Sequence, residues 1–316
     1  MRSRALGLVL GHAADRVFGD PSSFHPVAGF GTLAHRLETA IWTDARPRGA
    51  AYTAVLVGAA SGLGMIAERA TRTRPVLHTL TTAAVTWSVL GGRSLAREAA
   101  HVRAHLDIDD LPAAREQLTH LVGRDTSILD VAGVSRATVE SVAENTSDAV
   151  VAPLLAGAAA GIPGLMAYRA ANTLDAMVGH RSARHERFGW ASARLDDVLN
   201  LVPARVAAGL AAALAPTVSG GRIDAVRAWR RDARHHPSPN AGPVEAAFAG
   251  ALDVQLGGVN VYGDRAENRH TLGEGRPATP DDIGRAVRLA DHVDTAAVVV
   301  AAVIALRPRR PRPLRR

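Results

Sequence analysis

The sequence contains no cysteine, and every one of its 37 lysine-or-arginine positions is arginine. Without cysteine there is no disulfide, no zinc–thiolate site and no cysteine-held iron–sulfur cluster. Without lysine there is neither a Schiff-base enzyme nor a P-loop nucleotide site, because both need the lysine amine. HExxH and GxSxG motifs are also missing, so zinc hydrolysis and elbow-type serine catalysis lack support. Any bound phosphate must be held by arginines, backbone N–H groups or a metal ion.

Aromatic residues are scarce as well, at 4%, although hydrophobic residues make up 47% of the 316 positions. The apolar part is mostly Ala, Val, Leu and Gly, whose small side chains let helices approach closely, as membrane bundles require. A GC-rich coding bias would produce a similar composition. The mean hydropathy of +0.03 is low for a protein with several spans, so composition alone leaves both explanations open.

Six apolar stretches mark candidate buried or membrane helices, at 5–18, 51–67, 76–91, 149–168, 198–218 and 295–306. Only 51–67, 149–168 and 198–218 approach the roughly 20 residues of a full span. Pro153 and the sequence GIPG (161–164) would break the fourth stretch, and Pro203 lies in the fifth. The pattern predicts an all-α, polytopic membrane helical bundle with broken or re-entrant helices and cytoplasmic loops. A soluble all-α protein with deeply buried helices is the alternative.

Local signals define several elements. Asp109 or Asp110 is predicted to cap a helix that ends near Gly123, and Pro280 opens a long helix to residue 306. Strand signals are sparse, and 235–265 is predicted to be loop around one short helix at 244–252. The N-terminal stretch is expected to be a retained membrane or interfacial helix rather than a signal peptide.

We expect one integral-membrane domain over residues 1–316, ending in the basic tail RPRRPRPLRR (307–316). The tail follows an apolar stretch directly, which is typical of a membrane flank near anionic headgroups. A nucleic-acid-binding arm would have a similar composition and is the alternative interpretation.

Polar residues concentrate at 140–148, 168–181 and 188–200, on either side of apolar segments. Glu140, Glu144 and Asp148 are spaced i, i+4, i+8, so on a helix they share one face and repel unless a cation lies between them. A solvated acidic face is the simpler interpretation. The residues Asn145, Thr146 and Ser147 between them add neutral oxygen ligands and phosphate donors.

The other two polar segments repeat this chemistry. Asn172 and Asp175 lie one turn apart, with Arg169 just before them, and Asp196, Asp197 and Asn200 form a DDxxN pattern that follows Arg194. Adjacent acids with an amide one turn later suit Mg²⁺, a hard cation that takes oxygen ligands and bridges to substrate phosphates.

Seven strings then point to one family: GDPSSFHPV (19–27), GRDTS (123–127), VAENTSDAVVAPL (142–154), YRAANTLDAMVGHR (168–181), ERFGWASARLDDVLNLVPAR (186–205), HPSPNAG (236–242) and AFAGALDVQLGGVNVYG (247–263). In order, over about residues 5–275, the chain resembles the cobalamin-biosynthesis proteins of the CobD/CbiB type, the adenosylcobinamide-phosphate synthases. One departure lies in HPSPNAGPVEAAFAG, where the family typically has a Trp before the Pro.

The resemblance implies a multi-pass protein of the inner, cytoplasmic membrane, with its active site facing the cytoplasm. It implies an enzyme that joins an aminopropanol-type amine, expected as its O-phosphate, to the free propionate carboxyl of adenosylcobyric acid. ATP and Mg²⁺ are the expected cofactors, and a corrinoid, the amine and membrane lipid are the expected partners, without nucleic acid. The oligomeric state is left open.

Candidate roles follow from that resemblance. For substrate and phosphate binding the candidates are Arg124, Asp125, Asn145, Thr146, Ser147, Arg169, Asn172, Arg194, Arg205 and Asn240. For metal binding they are Glu144, Asp175, Asp196, Asp197 and Asn200. For catalysis, including acceptance of the ammonium proton, they are His25, Glu144, Asp148, Asp175 and His236.

Two other functions remain open at this point. A Mg²⁺-dependent membrane prenyltransferase also pairs Asp-rich motifs with phosphate, but it would need a second Asp-rich box, and the other acidic clusters here are ENTSD and NTLD. A corrinoid transporter or permease subunit would bind the same ligand without catalysis. A scaffold without chemistry would leave the acid and arginine clusters unexplained.

Overall fold

The computed structural model describes residues 1–20, 25–180, 182–262 and 265–307, and helices make up most of this part of the chain. The α-helices are α1 (Arg2–Phe18), α2 (Pro26–Ile41), α3 (Arg46–Thr71), α4 (Pro75–Val89), α5 (Gly92–Asp107), α6 (Leu111–Leu118), α7 (Val131–Thr146), α8 (Ala152–Ala160), α9 (Ile162–Leu174), α10 (Trp190–Leu214), α11 (Arg222–Asp232), α12 (Ala241–Leu252) and α13 (Pro280–Leu306). Two π-helical segments, Ser147–Val151 and Asp175–Gly179, follow α7 and α9. Short 3₁₀ turns occupy Ala215–Val218 and Ala233–His235.

A small sheet corrects the all-α prediction. Strands β1 (Val254–Tyr262), β2 (Arg265–Leu272) and β3 (Arg276–Pro277) form a sheet of order β2-β1-β3. The pairing of β1 with β2 is antiparallel and that with β3 is parallel, with a bulge at Gly257–Val259. Gly257 and Gly258 adopt φ values of 75° and 86° there. These glycines break the alternating pattern that marks a strand, which explains why the sequence predicts loop at 254–265.

Three helices are long and apolar enough to cross a membrane: Arg46–Thr71, Trp190–Val218 and Pro280–Leu306. All three contain predicted apolar stretches, at 51–67, 198–218 and 295–306, whereas the predicted stretch 149–168 is divided between α8 and α9. Gly161 makes that break with φ 76°, in agreement with the GIPG sequence. Pro203, by contrast, lies inside a continuous α10, so it does not break this helix.

Short-range signals elsewhere are confirmed with small differences in length. Asp110 caps α6 by accepting the Ala113 N–H at 3.1 Å, but the helix ends at Leu118 rather than near Gly123. Pro280 opens α13, where Thr279 and Asp282 form a capping box. The predicted short helix after residue 235 is α12, which begins at Ala241, three residues earlier than expected.

Small residues bring the helices together. Gly7 and Gly11 of α1 face Thr82 and Thr86 of α4, and a Cβ at Gly11 would lie 2.4 Å from the Thr86 Cβ. The main core is built largely from Ala, Val and Leu of α1, α7, α8, α10, α12 and α13. This core holds the ends of α7, α9 and α10 next to one another, and the candidate site lies at that junction.

Candidate functional site

The centre of the site is the carboxylate of Asp196, which α10 buries to 7% exposure. Asn172 on α9 donates from Nδ2 to Asp196 Oδ1 at 3.3 Å, and Asn200, one turn along α10, donates from Nδ2 to Oδ2 at 2.9 Å. Two amides on different helices therefore fix both oxygens of one acid. Such charge-assisted hydrogen bonds are stronger than neutral ones.

Hydrogen bonds extend from this carboxylate in both directions. Arg169 reaches Asn172 Oδ1 from Nη1 at 3.5 Å. On the other side, the buried Tyr168 hydroxyl lies 2.8 Å from Asn200 Oδ1 and 3.1 Å from the backbone oxygen of Asp148. The 140–148, 168–181 and 188–200 segments thus converge on one polar network.

Both π-helical segments carry predicted site residues, Asp148 in one and Asp175 in the other. A π turn is wider than an α turn and is frequently found at functional sites. Gly179 ends the second segment, and a Cβ there would lie 1.8 Å from Asp175 Oδ1. The glycine therefore leaves the space that this carboxylate occupies.

The carboxylates affect one another's protonation. Burial, together with the negative charges of Asp196, Asp197 and Glu144, raises the pKa of Asp175 to about 7. Burial, followed by the charges of Asp196, Glu144 and Asp175, also raises the pKa of Asp148. A cluster with this repulsion favours a bound cation or a bound proton.

The predicted magnesium ligands do not form a preassembled metal site. Within residues 1–20, 25–180, 182–262 and 265–307, no group of three His, Asp or Glu side chains is arranged to hold a metal ion. Both Asp196 oxygens accept from amides, and Asn200 Oδ1 accepts from Tyr168. Asn200 orients Asp196 in this arrangement.

Arginines surround the acidic network. Arg169 is partly exposed, its Nε has no hydrogen-bond partner, and it lies within electrostatic reach of Asp20 and Asp148. Arg194 is exposed and lies 3.5 Å from Asp197 Oδ2. Arg205, also exposed, donates to Asn240 Oδ1 at 3.3 Å, while Asn240 Nδ2 donates to the Asp197 backbone oxygen at 2.8 Å. Anionic ligands would meet these arginines at the rim.

His25 is connected to this region through Asp20, which lies within electrostatic reach of Arg169. It caps α2 by accepting the Val27 N–H on Nδ1 at 3.1 Å, and its Nε2 lies 3.8 Å from Asp20 Oδ1. The middle of the predicted GDPSSFHPV string, residues 21–24, lies outside the described residues.

Of the three polar side chains that follow Glu144, two donate hydrogen bonds to the backbone and one has no hydrogen-bond partner. Thr146 donates its hydroxyl hydrogen to the Val142 backbone oxygen at 2.7 Å, and Asn145 donates to the Ser141 backbone oxygen at 2.9 Å. Ser147 is buried and its Oγ has no hydrogen-bond partner. Of the three predicted ligand-binding side chains, Ser147 has the most hydrogen-bonding capacity left.

A second buried polar group forms around Glu140 of α7. Arg124 is 7% exposed and donates from Nη2 to Glu140 and from Nη1 to Asn260 Oδ1. Glu140 also accepts the Gly257 N–H at 2.7 Å. Arg124 is therefore held in an internal ion pair, whereas Asp125 beside it is exposed and accepts from the Ser127 N–H and hydroxyl.

His236 and Glu245 belong to this second group. Their side chains are 0% and 1% exposed, and His236 Nε2 lies 3.9 Å from Glu245 Oε2. Burial raises the pKa of Glu245, and the charges of Glu140 and Glu144 raise it further. Because Glu144 also acts on Asp148 and Asp175, it links the two polar groups electrostatically.

The model of the family described as CobD/Cbib protein matches residues 8–290. The chain belongs to the CobD/Cbib family. Three relatives share the description cobalamin biosynthesis protein CobD. The one from Mycobacterium tuberculosis (strain ATCC 25618 / H37Rv) is 50% identical over 309 residues, 98% of each chain. Those from Chromobacterium violaceum and Geobacter metallireducens are 44% and 43% identical over 91–92% of this chain and 92–93% of their own. No solved structure matches the chain.

Membership of the CobD/Cbib family confirms the resemblance inferred from the motifs and supports a role in cobalamin biosynthesis. The structure adds residues that the motifs did not single out as candidates: Tyr168, Asp20, Asn260 and Glu245. Glu245 had a signal in the sequence, because it is the one charged residue in the otherwise apolar α12. A fully buried acid is rare unless it is paired.

Proposed function

We propose that this protein is an adenosylcobinamide-phosphate synthase. In the proposed reaction it forms an amide between the free propionate carboxyl of adenosylcobyric acid and an aminopropanol-type amine, supplied as its O-phosphate. The observation that carries the proposal is the network centred on Asp196 in a chain of the CobD/Cbib family. Neither a prenyltransferase nor a transporter gains support from that family.

Amide formation in water requires an activated carboxylate, and ATP with Mg²⁺ is the proposed source of activation. Bound Mg²⁺ would neutralise phosphate charge as a Lewis acid. Asp196 and Asp148 are the residues proposed to hold it, because both are oxygen donors in a mutually repelling acidic cluster. Magnesium commonly binds through one or two carboxylates, with waters and substrate phosphates as the other ligands, so a preassembled cage is not needed.

The arginines are proposed to bind the anionic groups of the substrates. Arg169 lies within electrostatic reach of Asp148, and Arg194 and Arg205 lie exposed at the edge of the site. A guanidinium holds phosphate or carboxylate through paired N–H donors, which makes these three side chains suitable in a protein without lysine. Asn240, which also donates to the Asp197 backbone oxygen, would hold the Arg205 side chain in place.

We further propose that the protein is a multi-pass protein of the cytoplasmic membrane, with the site facing the cytoplasm. Exposed apolar side chains occur along α1, α3, α4 and the second half of α13, which suits contact with lipid. They include Leu6, Val9, Leu63, Ile66, Leu80, Val299 and Val303.

The test is conversion by the purified full chain in detergent. Incubation with adenosylcobyric acid, ATP, Mg²⁺ and 1-amino-2-propanol O-phosphate should give a corrinoid heavier by the amine minus one water, detected by mass spectrometry. Omission of ATP or Mg²⁺ should stop the reaction. Corrinoid uptake by cells that express the chain, without conversion by the purified protein, would instead indicate a transporter.

A further inference from the structure

The strongest unassigned feature is the fully buried carboxylate of Glu245. The residue is 0% exposed, and neither Oε1 nor Oε2 has a hydrogen-bond partner. An unpaired buried carboxylate is strongly unfavourable. A natural protein keeps such a group mainly where a ligand or a proton completes it.

The neighbouring His236 faces Glu245 as a donor. His236 Nδ1 lies 3.1 Å from the Ser238 nitrogen and 3.2 Å from the Ser238 backbone oxygen. In the tautomer in which the Ser238 N–H donates to Nδ1, the hydrogen of the neutral ring lies on Nε2. That Nε2–H has no partner and lies 3.9 Å from Glu245 Oε2, beyond hydrogen-bond length. The two side chains therefore face each other without forming a hydrogen bond.

A second unused donor belongs to the same buried group. Asn260 is 2% exposed, and its Oδ1 accepts from Arg124, which fixes the amide so that Nδ2 is the donor. Nδ2 has no partner. Glu140, the ion-pair partner of Arg124, acts electrostatically on both His236 and Glu245. An acceptor and two donors thus remain unused in one polar region.

We propose that Glu245 binds the ammonium group of the amine substrate, with His236 and Asn260 donating to the oxygen atoms at its other end. This inference rests on the proposed synthase function and names the subsite for its second substrate. An ammonium group offers three N–H donors, which match two unpaired carboxylate oxygens. A small amino alcohol or its phosphate offers acceptor oxygens within a few bonds of that nitrogen.

The location agrees with this role. Glu245 lies one turn into α12, which begins directly after Asn240, and Asn240 contacts both Asp197 and Arg205 of the main network. The charge of Glu144 reaches both Glu245 and Asp148. An amine held by Glu245 would therefore be adjacent to the region proposed for the corrinoid carboxylate and its phosphate.

The experiment compares the Michaelis constants of the two substrates in the full chain in detergent, with the O-phosphate of aminopropanol as the amine. Glu245→Gln should raise the KM for this amine by about 10- to 100-fold, because a hydrogen-bonded charge is lost. The KM for adenosylcobyric acid should change by less than about 2-fold. Glu274→Gln, at an acid exposed to 74%, is the matched control and should leave both constants unchanged.

A ligand that lacks the nitrogen distinguishes the loss of the ammonium contact from a structural defect of the whole subsite. Inhibition by 1,2-propanediol 2-phosphate, which lacks the ammonium group, should be equal in the wild type and Glu245→Gln. Equal weakening of both ligands, or an unchanged KM for the amine, would overturn the proposal. If Glu245→Gln does not fold, Glu245→Asp serves the same purpose, because its shorter side chain withdraws the carboxylate from the amine.

Failure of the synthase proposal gives a different result. A wild-type protein that makes no amide product would contradict the function itself. Calorimetry with the aminopropanol O-phosphate alone then tests the subsite: binding that Glu245→Gln removes supports it, and no binding by the wild type overturns it.

Discussion

At the scale of single residues, hydrogen bonds give chemically similar side chains different roles in the site. Asp196 and Asp197 are neighbours in sequence, yet Asp196 is buried between two amides while Asp197 is partly exposed beside Arg194. A carboxylate whose oxygens are both oriented is better prepared to bind a cation or a reacting group than one that rotates freely. Asp196 should therefore contribute most to activity.

The first prediction follows from that difference. Asp196→Asn should lower kcat by about 100-fold or more, because charge neutralisation by a bound cation contributes several kcal/mol and each 1.36 kcal/mol is about tenfold in rate. Asp107→Asn, at an acid exposed to 51% on α5, is the control. The measurement is steady-state amide formation. Full activity of Asp196→Asn would remove Asp196 from the proposed metal site.

A second prediction concerns Asp232 at the end of α11. Burial acts to raise its pKa, but bonds from Arg231 and the Gly273 N–H outweigh burial, so the pKa lies below 3.8. Because the folded pKa is lowered, this stabilisation is present at neutral pH and is lost as the pH falls through 3.8 and below.

Asp232→Asn should therefore lower stability at pH 7 by about 1–3 kcal/mol, measured by denaturant unfolding in detergent. The difference from wild type should shrink as the pH is lowered through 3.8 and below. Asp224→Asn, on the same helix and 60% exposed, should show little effect at either pH. A difference that does not depend on pH would contradict the ion pair as its cause.

At the scale of elements, irregular helix turns position the chemistry. Two π segments and the Gly161 break follow or interrupt helices that would otherwise run straight. Each changes the direction in which the next side chains project, and so Asp148 and Asp175 come to face α10. The elements are common ones, and the irregular turns between them distinguish the site.

The third prediction tests one of these turns. Gly179→Ala places a Cβ 1.8 Å from Asp175 Oδ1, and the end of that side chain must move away. Activity should fall while the stability changes little, since a flexible carboxylate moves more easily than backbone. Gly209→Ala, at a helical position with nothing within 4 Å, is the control and should be as active as wild type. Equal activity of both variants would show that Asp175 needs no fixed position.

At the scale of the whole molecule, the outer surface divides into apolar and charged parts. Helices α1, α3, α4 and the second half of α13 expose leucine, valine and isoleucine, whereas α11 exposes arginines. The first half of α13 is polar and is tied to the sheet by Arg276 of β3, which binds Asp282. This division suits a helical part in lipid and a polar part outside it.

The fourth prediction concerns membrane insertion. Leu63 on α3 is 60% exposed, and Leu63→Arg should reduce the membrane-bound fraction, because arginine within a span costs about 2.5–3.5 kcal/mol. Ile223→Arg, on the basic helix α11 and 72% exposed, should not. The measurement is the share of protein that stays with membranes after an alkaline wash. Equal retention of both variants would place α3 outside the lipid.

Many features of this protein are determined by short stretches of its sequence. The absence of lysine and cysteine, the capped starts of α6 and α13, the break at Gly161 and the family motifs each depend on a few neighbouring residues. Such features can be predicted because propensity, capping and backbone limits act over one or two turns. The three polar segments could likewise be identified as the functional region.

Only the tertiary structure decided which side chains meet. Arg124 pairs with Asn260, Glu140 accepts from Gly257, and Asn172 donates to Asp196, across separations that no local pattern encodes. Such contacts follow from packing of the whole core, which is why the motifs predict a phosphate-binding Arg124 whereas the fold holds it in an internal ion pair. The same packing leaves Glu245 buried without a partner, since burial and pairing are properties of the folded chain.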